Sequence, residues 1–330
     1  MQPSFRAFRI HRTDGKTHAQ LEQLTPNDLG DGDLLVRVEF SGINYKDALA
    51  ATGMGRIART FPLICGIDLA GEVIESSSPR FSPGDKVLSI GASQGETRDG
   101  GYTEFARLDS RSAVLIPETL ETRSSMALGT AGFTAALAIH RIEHNGQSPE
   151  AGPIVVTGAT GGVGSVAINL LSSKGYQVAA LTGKTRETPY LEALGASQII
   201  DRKMLEIGGK PLEHADWGGA IDNLGGDILA WLTRTVRPNG NIASIGLAAG
   251  ADLVTTVMPF ILRGVNLLGI NMEVTPELRA TLWQRLGDEL QPQQLDRIVT
   301  REVTLTELPD CFEAYMRGDM TGRTVVKIHE

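Results

Sequence analysis

Cysteine is nearly missing from this chain: Cys65 and Cys311 are the only two in 330 residues, and they lie far apart. So sparse a supply excludes a disulfide scaffold and fits a reducing compartment, each thiol packing as a small apolar side chain. Long apolar runs are missing too. No stretch approaches about 18 uninterrupted apolar residues, and the segment from Met1 to Lys16 has no apolar core of about 7 to 15 residues, so neither a membrane span nor a secretory signal is expected. Arg6, Arg9 and Arg12 would suit a mitochondrial presequence, but Asp14 follows closely and the stretch already reads as a first strand. The expectation is a cytoplasmic protein. Positive charge is in deficit as well, 31 basic against 39 acidic residues for a net charge of −8. A nucleic-acid surface therefore has no support, and any anion site must be built locally.

What is present reads as a soluble globular chain, 41% hydrophobic and 21% charged, long enough for two domains of ordinary size. From Asp33 to Ser41 apolar and polar residues alternate, placing Val36, Val38 and Phe40 on one face and Arg37, Glu39 and Ser41 on the other, as a half-buried strand requires. Short runs at Asp85 to Ile90 and Tyr102 to Leu108 read as further antiparallel strands. Near Ser124 the pattern changes. Met126 to Ile139 is an Ala-rich helix, and after Pro153 buried strands alternate with helices: Ile154 to Thr157, Gln177 to Thr182, Gln198 to Ile200, Ala220 to Asn223, Asn241 to Ile245 and Asn266 to Ile270. Six such strands make a full parallel dinucleotide sheet. Beyond Pro276 an amphipathic helix precedes strands at Glu302 to Leu305 and Thr324 to Ile328, so the chain returns to the first domain and the βαβ block is an insertion.

The strongest local signal runs from Val155 to Gly164. It follows a buried strand and opens a helix, with Gly161 and Gly162 placed to let the backbone approach a pyrophosphate and Gly164 to let the helix pack on the strand. Ala159 stands where the common fingerprint has its first glycine. NAD sites end the second strand in Asp or Glu; here the residues are Leu181-Thr182-Gly183-Lys184-Thr185-Arg186. A hydroxyl and cations suit the 2′-phosphate of NADPH, with Lys184 or Arg186 neutralising it, Thr182 donating to it, and Arg202 a further candidate. A solvated loop with ordinary surface charges is the alternative for Lys184 and Arg186.

Across its whole length the chain resembles the medium-chain dehydrogenase/reductase superfamily. The motifs Asn44-Tyr45-Lys46-Asp47, Phe61-Pro62, Gly66 to Gly71, Gly129 to Ala135, Met258 to Arg263 and Gly322-Arg323-Thr324 resemble its quinone oxidoreductase branch, and within that the acryloyl-CoA reductase subgroup. The resemblance implies an α/β fold, with a six-stranded parallel Rossmann domain over 126–265 inserted into a β-rich GroES-like substrate domain made of 1–125 and 266–330. Where zinc-dependent relatives have metal ligands this chain has Asn44 and Ile67, and two isolated cysteines cannot make a four-cysteine zinc lobe, so no metal is expected.

By the same resemblance Tyr45 lies beside the nicotinamide, as proton donor or as a residue that positions the cofactor. Asn44, Asp47 and Asp68 would orient it, with a turn role open for Asp68. The NADPH site would include Tyr45, Thr160, Gly161, Gly162, Val163, Thr182, Gly183, Lys184, Arg202, Leu247 and Ile261, with Arg317 and Gly318 folding over it. Arg56 and Arg59, flanking Gly53-Met54-Gly55, are candidates for the phosphates of a CoA substrate. The implied activity is NADPH-dependent hydride transfer to the β-carbon of an α,β-unsaturated acyl-CoA, acryloyl-CoA above all. Quinone reduction and a non-enzymatic NADPH-binding role are the alternatives. The family also implies a homodimer, against which stands an edge strand covered by a loop.

Overall fold

A computed structural model describes residues 4–329 of the chain; Met1 to Pro3 and Glu330, the outer ends of the expected GroES-like segments, lie outside the described residues. The chain forms two compact units, one of 4–130, 273–287 and 299–329, the other of 131–272 and 288–298.

In the first unit a seven-stranded sheet runs in the order Val299–Val303, Arg323–Lys327, Leu34–Ile43, Asp68–Ser76, Lys86–Ile90 and Val114–Leu115, with Phe105–Leu108 also paired to Leu34–Ile43. All pairs are antiparallel except the first. A smaller antiparallel sheet joins Lys16–Leu24, Phe5–Thr13 and Leu63–Ile64. Val36, Val38, Leu69, Val73, Val87 and Val326 point into one core with Tyr102 and Phe312. The alternation expected for Asp33 to Ser41 holds as far as Val38 and then fails: Phe40 is half-buried and Ser41 fully buried. The cause is a register shift between Val38 and Phe40 against Asp68–Ser76, which exchanges the faces of the strand. Ser41 spends its hydroxyl on the carbonyl of Asp68, at 2.6 Å.

The second unit holds six parallel strands in the order Gln198–Asp201, Val178–Thr182, Ile154–Thr157, Trp217–Asp222, Val236–Ser244 and Asn266–Gly269. In chain order this is 3-2-1-4-5-6, the doubly wound Rossmann arrangement. Ile154–Thr157 and Val178–Thr182 are buried along their whole length, which explains their unbroken apolar reading. Asn266–Gly269 hydrogen-bonds to Val236–Ser244 as the sixth strand, where the sequence placed it. The helix expected from Met126 to Ile139 extends over Thr122–His144, broken at Gly129, whose φ of 49° and ψ of −151° are not helical. Among the described residues no helix is long and apolar enough to cross a membrane.

Candidate active site

In the first unit the family-like motifs converge. The strand Leu34–Ile43 ends at Asn44, which caps the helix Tyr45–Thr52. Asp47, in the first turn, accepts the backbone N–H of Asn44 at 2.8 Å and so fixes where the helix begins. Tyr102 donates to the same oxygen at 3.1 Å, and the other oxygen accepts Ile67 N–H at 2.9 Å. The Asn44 amide donates to Asp68 Oδ2 (2.9 Å) and accepts from Arg323 Nη1 (3.0 Å). Arg323 also donates to the carbonyls of Ile43, Ala127 and Met126, and its guanidinium stands 3.7 Å from Asp68. Thr130 closes the ring, its N–H and hydroxyl both on the Asp68 carboxylate. Asp47, Asp68 and Arg323 are each at most 2% exposed.

A buried charge survives only where it is paired and hydrogen-bonded, and here the partners come from separate strands and helices of the chain. Gly129 shows how tight the fit is: a Cβ there would meet the Asp68 carboxylate and lie 2.7 Å from Arg323 Nη2. The break in the helix at Gly129 turns Thr130 onto Asp68. Arg323, Tyr102 and Thr130 were not singled out as site residues from the sequence, although Arg323 and Thr130 lie inside quoted motifs.

Asn44, Asp47 and Asp68 are thus brought together but have little or no exposed surface. Their role is to hold the start of the helix. Tyr45, its first residue, is 54% exposed and presents its side chain to solvent, as the neighbouring Lys46 also does. Burial, together with the neighbouring Asp68, pushes the Asp47 carboxyl up to about 7, against the favourable hydrogen bonds from Asn44, Ile67 and Tyr102. Burial also pushes up the thiols of Cys65 and Cys311, which are both unpaired and buried, so each stays a protonated apolar group. Arg56 and Arg59 are exposed just beyond this helix. Arg317 is exposed and bound to Asp319 (2.9 Å), with Glu313 nearby. Among the described residues no group of three His, Cys, Asp or Glu side chains is placed to hold a metal.

The nucleotide candidates lie in the second unit. After Ile154–Thr157 the chain turns at Gly158, with φ 58°, into the helix Gly162–Ser173. Gly164 marks its contact with the turn, since a Cβ would lie 2.5 Å from Gly158 O and 2.8 Å from Ala159 Cα. Gly161 caps the helix with no side-chain hydrogen bond, so the first N–H groups are left to an anion. Thr160 is buried, Gly162 and Val163 half-buried, and Gly161 exposed. At the end of Val178–Thr182 the buried Thr182 hydroxyl accepts Lys184 N–H at 3.0 Å. Arg202, from the neighbouring strand end, lays its guanidinium beside Gly183, where a Cβ would be 3.3 Å from Nη2. Arg186 instead turns to Glu187, at 3.3 Å. A bare turn, a hydroxyl and two cations therefore fit a dinucleotide with a phosphorylated ribose. Leu247 and Ile261 are large apolar side chains standing 67% and 73% exposed.

The sheet's switch point carries a polar clasp that periodicity did not reveal. Thr157 donates to the fully buried Asp222 (2.7 Å) and accepts Asn223 N–H (2.8 Å), and Asp222 also takes Gly225 N–H (2.9 Å). Burial raises the Asp222 carboxyl. The clasp locks together the two strands between which a Rossmann sheet opens its crevice.

The raised Asp47 gives a linkage prediction. Its carboxyl ionises near 3.8 when unfolded and near 7 when folded, so the stability it contributes is fully present below about pH 4 and is lost as pH rises to about 7. Relative to the parent, Asp47→Asn is expected to gain in urea midpoint steadily between those pH values; a constant offset would show that Asp47 ionises normally.

Comparison with known proteins accords with this geometry. Residues 30–118 match the alcohol dehydrogenase GroES-like domain family and 162–287 the zinc-binding dehydrogenase family. The chain is 44% identical to a Ruegeria pomeroyi protein named as the acrylyl-CoA reductase AcuI, covering 96% of each chain. It is 42% identical to YhfP of Bacillus subtilis 168, named as a quinone oxidoreductase, over 99% and 100%. The crystal structure of the Salmonella enterica YhdH oxidoreductase in complex with NADP superposes with a TM-score of 0.95 at 44% identity, over 98% and 100% of the two chains. The YhfP structure with NAD bound gives 0.96 at 42%, over 99% and 100%. With both of its units matched and relatives of this identity along its full length, the chain belongs to the medium-chain dehydrogenase/reductase superfamily, in the quinone oxidoreductase branch that contains the acrylyl-CoA reductases.

Proposed function

We propose that the protein is an NADPH-dependent reductase of α,β-unsaturated acyl-CoA thioesters, with acryloyl-CoA, reduced to propanoyl-CoA, as its substrate. The observation that carries this reading is the 44% identity, over 96% of each chain, to the protein named as an acrylyl-CoA reductase. The basic, acid-free end of the second nucleotide strand supports NADPH over NADH. When bound, NADPH supplies a hydride to the β-carbon, leaving an enolate that needs a proton at the α-carbon.

The chain's own residues bind, orient and protonate. The helix start at Gly161 to Val163 takes the pyrophosphate through backbone N–H groups, while Thr182, Lys184 and Arg202 take the 2′-phosphate. Leu247 and Ile261 offer apolar surface to the nicotinamide end. Tyr45 stands on a helix start that Asn44, Asp47, Asp68 and Arg323 hold immobile, and its hydroxyl donates the proton or fixes the cofactor against the substrate. Arg56, Arg59 and Arg317 are exposed cations available to phosphates. The two buried thiols suit a cytoplasmic setting.

A homodimer fits the second unit. Asn266–Gly269 is an edge strand paired on one side only among the described residues, and Val254, Val257 and Leu262 along the preceding run are 62% to 75% exposed. Light scattering is expected to give a particle of twice the 35.3 kDa chain mass; a monomer at micromolar concentration would remove this assignment.

Two kinetic outcomes follow. Offered acryloyl-CoA, crotonyl-CoA and a simple quinone with either NADPH or NADH, the protein is expected to turn over acryloyl-CoA fastest and with NADPH; turnover of the quinone alone would move it to the activity named for the Bacillus relative. Tyr45→Phe is expected to lower kcat by about 10²-fold if its hydroxyl is the acid, whereas a change confined to KM for NADPH would assign it to cofactor placement.

A further inference from the structure

The first unit contains a pocket of about 240 Å³ that none of the residues discussed so far explains. It is lined by Gln94 and by four arginines, Arg98, Arg107, Arg111 and Arg279. Gln94 is 2% exposed, yet neither its amide nitrogen nor its amide oxygen has a hydrogen-bond partner. A buried amide left with both a donor and an acceptor unmet is costly, and side chains are seldom kept that way without a ligand or water to meet them. The backbone that aims it is held in an unfavourable conformation: Gly91, Ala92 and Ser93 all have left-handed φ, 62°, 50° and 65°, and two of the three carry a Cβ.

The charge of the lining is cationic on balance. Three carboxylates face the same pocket, but two are already engaged. Asp99 accepts the N–H groups of Gly30 and Ile64, and Asp109 is clamped by Arg111, which holds its carboxyl down at about 2. The third, Glu273, lies near the buried Arg279, whose Nη1 donates to Ile90 O at 3.3 Å. Arg98 gives one nitrogen to Asp31 O, and Arg107 is half-buried on the strand Phe105–Leu108. Guanidinium groups around an amide edge make a receptor for phosphate joined to a group that offers a donor and an acceptor side by side.

The pocket is linked to the helix that carries Tyr45. Glu96, two residues beyond Gln94, binds Lys46 Nζ at 2.6 Å and takes Arg59 N–H through its carbonyl at 2.7 Å. Gly91 N–H donates to Ile67 O, and Ile67 is the residue whose own N–H holds Asp47. The loop forming the pocket is therefore built onto both neighbours of Tyr45's capping network.

We infer that this pocket is the subsite for the phosphorylated arm of the CoA thioester, with Arg107 on phosphate and Gln94 paired to an amide edge, either a pantetheine amide or the adenine. The inference rests on the acyl-CoA reading and deepens it. Filling the subsite would satisfy Gln94 and commit the acyl end toward Tyr45.

The test compares Gln94→Leu and Arg107→Ala with the parent in two measurements: steady-state kinetics with acryloyl-CoA, acryloyl-pantetheine and the acryloyl thioester of N-acetylcysteamine, and calorimetric titration of free CoA. Each variant is expected to raise KM for acryloyl-CoA about tenfold, as the loss of one charge-assisted or buried hydrogen bond does. Each should also cut the preference for acryloyl-CoA over the N-acetylcysteamine thioester by the same factor and weaken CoA in the titration to match. A Gln94→Leu penalty on acryloyl-pantetheine assigns the amide edge to the pantetheine arm; a penalty on acryloyl-CoA alone assigns it to adenine. Parent-like KM and CoA affinity in both variants would overturn the subsite and leave Gln94 a merely hydrated side chain. If no thioester is turned over but CoA still binds and is weakened by both variants, the acyl-CoA reductase reading fails while the subsite stands.

Discussion

Everything on the substrate side depends on a charge pair that water does not reach. Asp68 and Arg323 lie within 4 Å of each other with almost no exposed surface, and between them they draw in Asn44, Thr130 and the carbonyls of Ile43, Met126 and Ala127. Removing one partner of such a pair leaves the other charge uncompensated and costs about 3–5 kcal/mol. The network therefore acts as a geometric constraint: the last strand of the chain, the break at Gly129 and the helix start at Tyr45 can coexist in only one arrangement.

The nucleotide side is organised by a different force. Its central strands Ile154–Thr157 and Val178–Thr182 are buried along their whole length, so burial sets their positions, and their C-terminal ends carry the polar groups. There the Thr157 and Asp222 clasp fixes the switch point, and Arg202 lies beside Gly183, with Lys184 next to it in the chain. Chemistry is thus confined to loops and strand ends, while the sheet beneath them is a rigid, dry scaffold. The same division holds in the first unit, where the exposed Tyr45 and the pocket around Gln94 are both held by a layer of hydrogen bonds to residues that never meet solvent.

The order and type of the six parallel strands were legible because a doubly buried strand writes an uninterrupted apolar run, and the turn at Gly158 to Gly164 was legible because close backbone approach admits only glycine at Gly164. The half-exposed strand Leu34–Ile43 was legible up to its register shift and no further, since a bulge changes faces without changing composition.

The sequence by itself determined the fold class, the phosphate-binding turn, the absence of an acid at the second strand and the motif that carries Tyr45, because each is a local pattern with a local physical cause. Tertiary structure alone decided that Arg323 completes the site built by Asn44 and Asp68, that Asp47 is buried beside a second carboxylate, that Arg202 rather than Arg186 lies against Gly183, and that Gln94 is enclosed among arginines. These are contacts between residues tens to hundreds of positions apart. A buried charge or an unmet amide has meaning only once the surrounding chain has excluded water from it.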